Sequence, residues 1–307
     1  MANKKPHRIR TIIDYHKHLG LAKPEHPLIS VINMDAVTRL PDRKAVNVVF
    51  DFYLITLKRM KGVRYRYGQH HYDFEGDALF FMAPNQVLGL EAIEDEISEK
   101  PSGWILLIHP DFIWGKSLAK AIKQYEFFDY AVNEALFLSE KEEAKINGLI
   151  EDIQQEYHSN IDHFSQDIII AHLETLLSYS QRFYHRQFIT RKKANHQILE
   201  RLEKLLADYF NSEDLINKGL PTVSHVAQAL NVSPSYLGSL LRVLTGQNTQ
   251  QHIHNKLIEK AKEKLSTTDM SVSEIAYELG FEHLQSFSKL FKSKTSQSPL
   301  KFRASFN

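Results

Sequence analysis

Val226-Ala227-Gln228-Ala229-Leu230-Asn231-Val232 and, 49 residues further on, Ile275-Ala276-Tyr277-Glu278-Leu279-Gly280-Phe281 obey one pattern: branched aliphatic, alanine, two variable positions, leucine, a turn residue, an apolar residue. The alanine lets two helices cross closely, and the turn residue must tolerate a left-handed backbone, which Gly and Asn do most readily. Between Leu220 and Arg303 the chain therefore reads as two helix-turn-helix units, about 222–245 and 271–294.

The helices after the turns match at an offset of 50: Leu237, Leu240 and Leu241 correspond to Phe287, Leu290 and Phe291. This is the stripe of a helix buried on one face. The opposite face carries Ser235, Tyr236, Ser239 and Arg242 in the first copy. In the second it carries His283, Gln285, Ser286, Lys289 and Lys292. Short hydrogen-bonding groups and cations on one side suit a DNA groove. Ser271 with Glu274 forms a capping box, Thr222 can cap the equivalent helix, and Ser233 before Pro234 supplies an N-cap and an N1 proline.

The stretch between the copies, Thr249 to Ser266, has no Gly or Pro and places Ile253, Leu257, Ile258, Ala261 and Leu265 at helical spacing. Eighteen residues make a rod of roughly 27 Å, to be compared with about 34 Å between successive major-groove faces on one side of B-DNA. With the width of the flanking units added, one chain can present both recognition helices to one face of the duplex.

The run from Ser271 to Phe281, then Ser286-Phe287-Ser288-Lys289-Leu290-Phe291-Lys292 and Ser298-Pro299-Leu300-Lys301-Phe302-Arg303, resembles the signature of AraC/XylS-type transcriptional regulators. The resemblance covers about 100 residues. It implies that one helix of each unit enters the major groove, with base-facing positions at Ser235, Tyr236, Ser239, His283, Gln285, Ser286 and Lys289, and backbone contacts from Thr222, Ser233, Arg242, Ser271 and Lys292. Two residues depart from the family pattern. Ser296 stands where glycine is usual, and Gly238 lies inside the first recognition helix.

Residues 191–307 hold 16 Lys or Arg against 11 Asp or Glu, and residues 1–190 hold 22 against 26, so the overall net charge of +1 conceals a basic and an acidic half. A helical protein-interaction module is the competing reading of a single such motif. Duplication, the rod and the terminal Pro-x-x-x-Arg favour DNA. The chain has no cysteine, which excludes disulfides, thiolate metal sites and cysteine nucleophiles. Without a signal-peptide core or a long apolar run, a cytoplasmic location and no membrane partner are expected.

From Leu28 to Pro110 short apolar stretches alternate with turns: 28–32, 46–57, 63–67, 71–74, 78–82, 86–90 and 104–109. The fold class expected is α+β with two domains: a small double-sheet β-barrel (about 28–110) followed by helices, then an all-α tandem helix-turn-helix domain. In the AraC-type resemblance the barrel is cupin-like and senses a small molecule, and Tyr72 to Gln86 resembles a strand–turn–strand of that barrel. The alternative function is a cupin-type metal-dependent enzyme with a helical partner-binding tail. His70 and His71 are adjacent, so in a strand they point to opposite faces. Only one of them could face a cavity, with Glu75 and His109 as its conceivable partners, and the reading adopted expects no metal, cofactor or catalytic residue. Tyr53, Tyr65, Tyr67, His71, Phe80 and Trp104 are candidates for lining an effector pocket, the competing reading being ordinary sheet core or outer face.

Ser139 with Glu142 opens a helix to about Tyr157, with Ile146, Leu149, Ile150 and Ile153 on one side. A second helix is expected from about Phe164 to Tyr184, with Ile168, Ala171, Leu176, Leu177 and Phe183. Such a pair either packs on its own barrel or joins a second chain, and the resemblance implies a homodimer through 139–157 and 164–184. Residues 1–190 then form the sensor and dimerisation part (helical region 111–186), 187–194 a linker containing Arg191, Lys192 and Lys193, and 195–307 the DNA-binding domain. The partners implied are double-stranded DNA, a small-molecule effector and, for an activator, RNA polymerase.

Overall fold

The computed structural model describes residues 6–37, 46–59, 63–67, 70–72, 78–92, 102–130, 134–159, 164–190, 192–212, 215 and 218–305. The chain divides into two compact units, Met1–Gln187 and Phe188–Asn307.

The first unit runs β1 (His7–Ile9), α1 (Ile12–His18), β2 (Ile29–Asn33), β3 (Val46–Phe50), β4 (Tyr53–Arg59), β5 (Val63–Tyr67), β6 (His70–Tyr72), β7 (Ala78–Met82), β8 (Val87–Ala92), β9 (Ser102–Ile108), α2 (Leu118–Ala121), β10 (Leu136–Phe137), α3 (Glu140–His158) and α4 (Ser165–Thr190). The strands form two five-stranded sheets, in the orders β1-β3-β8-β5-β6 and β10-β7-β4-β9-β2. Pairing is antiparallel except between β1 and β3. Two facing sheets match the double-sheet arrangement expected, while among the described strands each sheet pairs only within itself, so these strands close no barrel, and the core lies between the sheets. The apolar stretch 46–57 is two strands, because the chain bends at Asp51 and Phe52 and crosses from one sheet to the other.

Alternation along the strands gives the second sheet two buried faces. Ile32, Leu54, Met82, Ile105 and Leu107 join Ile9, Val48, Phe50 and Leu88 in the core between the sheets. Val31, Tyr53, Leu57, Phe81 and Trp104 occupy the other face, where helices cover them. There Phe81 packs on Phe127 with ring centroids 4.4 Å apart, and the Trp104 Nε1–H donates to Asn147 Oδ1 of α3 at 2.8 Å. The Tyr157 hydroxyl of α3 accepts from the Val31 N–H at 3.1 Å and lies 3.3 Å from the Val31 carbonyl, satisfying the edge strand β2. The apolar side of α3 (Ile146, Leu149, Ile150, Ile153) is buried within this chain, as are Leu173, Leu176 and Leu177 of α4. Glu142 serves twice. It closes the capping box with Ser139 and receives Arg186 of α4 at 2.6 Å. Burial alone would raise its pKa, but the Ser139 N–H and the Arg186 guanidinium hold it below the usual carboxylate value.

The second unit continues with α5 (Lys192–Asn211), α6 (Val223–Leu230), α7 (Pro234–Thr245), α8 (Thr249–Thr267), α9 (Val272–Glu278), α10 (Leu284–Thr295) and α11 (Pro299–Ala304). The expected linker 187–194 is largely helical, since α4 reaches Thr190 and α5 begins at Lys192. No Gly or Pro interrupts that stretch. Arg191 and the side chains of Lys192 and Lys193 lie outside the described residues. The buried stripe of α8, Ile253, Leu257, Ile258, Ala261 and Leu265, belongs to one core that takes in α5, α6 and α7 on one side and Ile275, Leu279, Phe287 and Phe291 on the other.

Three glycine-type positions separate the effects of space and backbone angle. Gly238 has φ in the helical range and open space where a Cβ would stand, whereas Gly280 has φ +77° and a Cβ there would lie 2.9 Å from the Leu215 carbonyl oxygen and 3.0 Å from Gly219 Cα. Ser296 is left-handed at φ 61°. Gly238→Ala is expected to stabilise the second unit by about 0.5–1 kcal/mol and Ser296→Gly by about 1 kcal/mol. Gly280→Ala is expected to cost at least about 2 kcal/mol. Denaturant unfolding of each variant measures all three.

In the first unit His16 is buried, with Nδ1 2.7 Å from the Ala22 carbonyl and Nε2 2.9 Å from Ser30 Oγ. Desolvation lowers its pKa below the ordinary 6.5, partly opposed by the Ala22 carbonyl. Below that ordinary value the unfolded chain binds a proton that the folded chain refuses, so the stabilisation is complete above it and declines as pH falls toward the depressed folded value. Thermal melts between about pH 7 and pH 5 should show a falling midpoint for the first unit, with a shallower fall in His16→Gln.

Candidate nucleic-acid interface

Both helix-turn-helix units close with the same hydrogen bonds. Asn231 N–H donates to the Gln228 carbonyl and Val232 N–H to the Ala227 carbonyl, each at 3.0 Å, and Gly280 and Phe281 repeat this onto Tyr277 and Ala276 at 2.9 and 3.0 Å. Asn231 is left-handed at φ 59°, like Gly280. Ala227 and Ala276 are buried at the helix crossings. The duplication also extends past the recognition helices. Gly246 and Ser296, both left-handed, donate to the Arg242 and Lys292 carbonyls, and the Thr245 and Thr295 hydroxyls each donate to a carbonyl four residues back at 2.8 Å. Four signals passed over in the sequence mark this second junction: the Thr-x-Gln repeats at 245–247 and 295–297, and the caps Asn248 and Ser298, of which Asn248 forms a capping box with Gln251.

The caps fix the starts of α6, α7 and α9. Thr222, Ser233 and Ser271 accept from the N–H groups of His225, Tyr236 and Glu274, each at 3.1 Å. The Glu274 carboxylate, fully exposed, is held below its ordinary pKa by the Ser271 N–H and hydroxyl. Arg303 of α11 donates from Nε to the Leu265 carbonyl at 3.3 Å, tying the tail of the second unit to the last turn of α8.

The two recognition helices differ in what they expose. On α10, His283, Gln285, Ser286, Lys289 and Lys292 are all exposed, above the buried pair Phe287 and Phe291. His283 occupies the N-cap position without a side-chain cap bond, where the first copy has the capping Ser233. On α7, Arg242 is exposed and Ser235 half-buried, but Tyr236 is only 7% exposed and Ser239 9%. This corrects the expectation of an open polar face carrying both residues. Tyr236 meets the ring of Phe188 edge-on, with centroids 5.2 Å apart, and Phe188 is itself held by Asn195 Nδ2 on its carbonyl at 2.6 Å. An aromatic ring with a polar tip reads as a groove contact or as core equally well, and the packing of Phe188 decides for core.

The residues expected around an effector pocket are also divided. Tyr53 and Trp104 lie on the helix-covered face of the second sheet, Tyr53 with its ring 5.2 Å from Phe128 and its pKa raised by burial. Phe80 lies on the opposite face, packed against the core between the sheets. One cavity cannot be lined by residues of opposite strand parity. Tyr65, Tyr67, His70 and His71 fall in β5 and β6, but their side chains lie outside the described residues, as does Glu75. His109 accepts from the Asp111 N–H at 3.2 Å. Among the described residues no group of three or more His, Asp or Glu is placed to hold a metal ion, and no helix is long and apolar enough to cross a membrane.

Residues 226–305 match the protein family described as a helix-turn-helix domain. The chain is 37% identical over 82 residues to the arabinose operon regulatory protein of Escherichia coli (strain K12), a match covering 27% of this chain and 28% of that protein. It is 29% identical over 145 residues to the HTH-type transcriptional regulator YfiF of Bacillus subtilis (strain 168), covering 47% and 42%. Among solved structures, the C-terminal domain of AraT, a response regulator from Geobacillus stearothermophilus, is 30% identical, with 35% of this chain and 84% of that one covered at a TM-score of 0.31. The chain spans less than half the length of these two full-length relatives.

Tyr236→Ala removes a buried ring and should cost the second unit about 3 kcal/mol, whereas Gln285→Ala on the open helix should stay within about 0.5 kcal/mol. Urea titrations of both variants test this division between core and surface.

Proposed function

We infer that this chain, whose C-terminal unit is a helix-turn-helix domain of the AraC/XylS type, is a sequence-specific DNA-binding transcription regulator. The observation that carries the inference is the pair of units with identical turns, packed on one helix, of which the second offers a continuous exposed face from His283 to Lys292. In this reading Gln285, Ser286 and Lys289 read base edges, while Arg242 and Lys292 meet phosphates. His283 stands beside the bases at the head of the helix. Ser235, half-buried, and Ser239, 9% exposed, are the positions proposed for the first half-site. Thr222, Ser233 and Ser271 hold the helix ends and stand beside the phosphate backbone. The excess of 16 basic over 11 acidic residues in 191–307 supplies a modest electrostatic grip.

The first unit is proposed as the signal-receiving, cupin-like part, with residues 1–190 acting as sensor and 195–307 as DNA-binding domain. Homodimerisation is proposed through 139–157 and 164–184, where the apolar side of α3 is buried within the chain while Phe164, just before α4, and Ile168 and Ala171 on it are exposed. RNA polymerase is the further partner if the protein activates. A signal alters DNA occupancy only through differential binding to two arrangements of the protein. The alternative of a metal-dependent enzyme has no supporting ligand geometry in the described part of the first unit, and the relatives above are named as regulators.

DNase footprinting on the DNA beside the gene should protect two adjacent major-groove segments on one face of the duplex. Lys289→Ala should cost about 1–3 kcal/mol and relax preference at one base position. A uniform loss on all sequences would make Lys289 a phosphate contact, and absence of any sequence-selective binding by the full chain would overturn the reading.

A further inference from the structure

Leu284 opens α10, the reading helix of the second copy, and its side chain is 41% exposed. The core beneath takes in its neighbours Phe281, Phe287, Leu290 and Phe291. Every other exposed side chain of α10, namely Gln285, Ser286, Lys289, Lys292, Ser293 and Lys294, is polar or cationic. Helix-end chemistry does not account for a leucine at this position. The first copy carries Pro234 there, also exposed, and proline suits the first turn because its missing N–H costs nothing. Leucine has no such advantage, and a hydrophobic staple would instead join the positions of Glu282 and Phe287.

Side chains in an α-helix lean toward its N-terminus, so the one at the first position projects past the end of the helix. In a helix-turn-helix unit docked on DNA, that end meets the base edges. Among the groups displayed in the major groove the C5 methyl of thymine is the apolar one, and an aliphatic side chain is the complement that removes it from water. α10 has three lysines and neither Asp nor Glu, which suits a polyanion. One apolar side chain among such neighbours matches a single methyl group in a charged groove. A protein docking site would instead call for a contiguous apolar patch.

We propose that Leu284 packs on the C5 methyl group of a thymine in the second half-site and makes the protein select thymine at that base pair. This rests on the regulator reading above, and it adds an apolar selector to the polar ones, Gln285, Ser286 and Lys289. Thymine and uracil present the same O4 acceptor and differ by that one methyl, so a polar contact is blind to their exchange and an aliphatic contact is not. Burial of one methyl group corresponds to about fourfold in affinity.

In the test the full chain first selects its preferred sequence from a pool of duplexes randomised over two adjacent major-groove segments. Each thymine of the selected duplex is then replaced singly by deoxyuridine, and binding is followed by fluorescence anisotropy of the labelled duplexes. At least one position is expected at which the exchange weakens binding about fourfold. Leu284→Ala and Leu284→Gln should each bind the thymine and deoxyuridine duplexes equally at that position and keep their preferences at the others. Leu284 is exposed, so both variants retain the fold, which circular dichroism verifies. Insensitivity of the parent chain to every thymine exchange, undiminished sensitivity in the variants, or an equal loss by the variants on all duplexes overturns the proposal and leaves the regulator reading in place. Variants that bind every duplex as the parent does, yet fail to support transcription by RNA polymerase, would give Leu284 to a protein partner instead. A pool from which no sequence is selected removes the regulator reading, and the proposal with it.

Discussion

The second unit depends on one helix being buried from both sides. α8 places Ile253, Leu257, Ile258, Ala261 and Leu265 in a single core, and both helix-turn-helix copies pack on that core. Burying aliphatic side chains of this size contributes roughly 1.5–3 kcal/mol each, far more than any surface ion pair along the same helix, such as Lys256 with Glu259 or Lys260 with Glu263. The spacing between α7 and α10 is thus set by hydrophobic packing, with Lys264 of α8 paired to Glu278 of α9 at its margin.

A second constraint follows from close backbone approach. Gly280 passes so near Gly219 and Leu215 that no Cβ fits, and this junction joins the turn of the second copy to the segment before the first. In the first copy the equivalent turn residue, Asn231, is exposed and left-handed with a side chain. The two turns share an angle but differ in crowding, which accounts for glycine in one and asparagine in the other.

The first unit is organised by a sheet that is buried twice. One set of alternate residues on β2, β4, β7 and β9 meets the other sheet, and the other set meets α3 and α4 through contacts such as Trp104 with Asn147 and Phe81 with Tyr184. The helices thereby act as a third layer. Most of the apolar surface that the sequence shows on them is consumed there, leaving only part of α4 exposed.

Element positions and helix ends in the second unit were legible because their causes are local. Capping residues, left-handed turn residues and a 3.6-residue apolar period act within a few positions of one another, and Ser271 with Glu274, Ser233 with Pro234, and the α8 stripe could be read directly. Burial of Tyr236 could not be read, since it depends on Phe188, 48 residues away, and a tyrosine carries no mark of which side it will present. The division of Tyr53 and Trp104 from Phe80 was hidden for a related reason: strand parity separates faces, but only sheet pairing says what covers each face. By itself the sequence determined the duplicated local units and the side each helix buries, as short-range sterics and hydrogen bonding dictate. Tertiary structure alone decided which polar positions stay open, because burial is made by residues distant in the chain meeting in space.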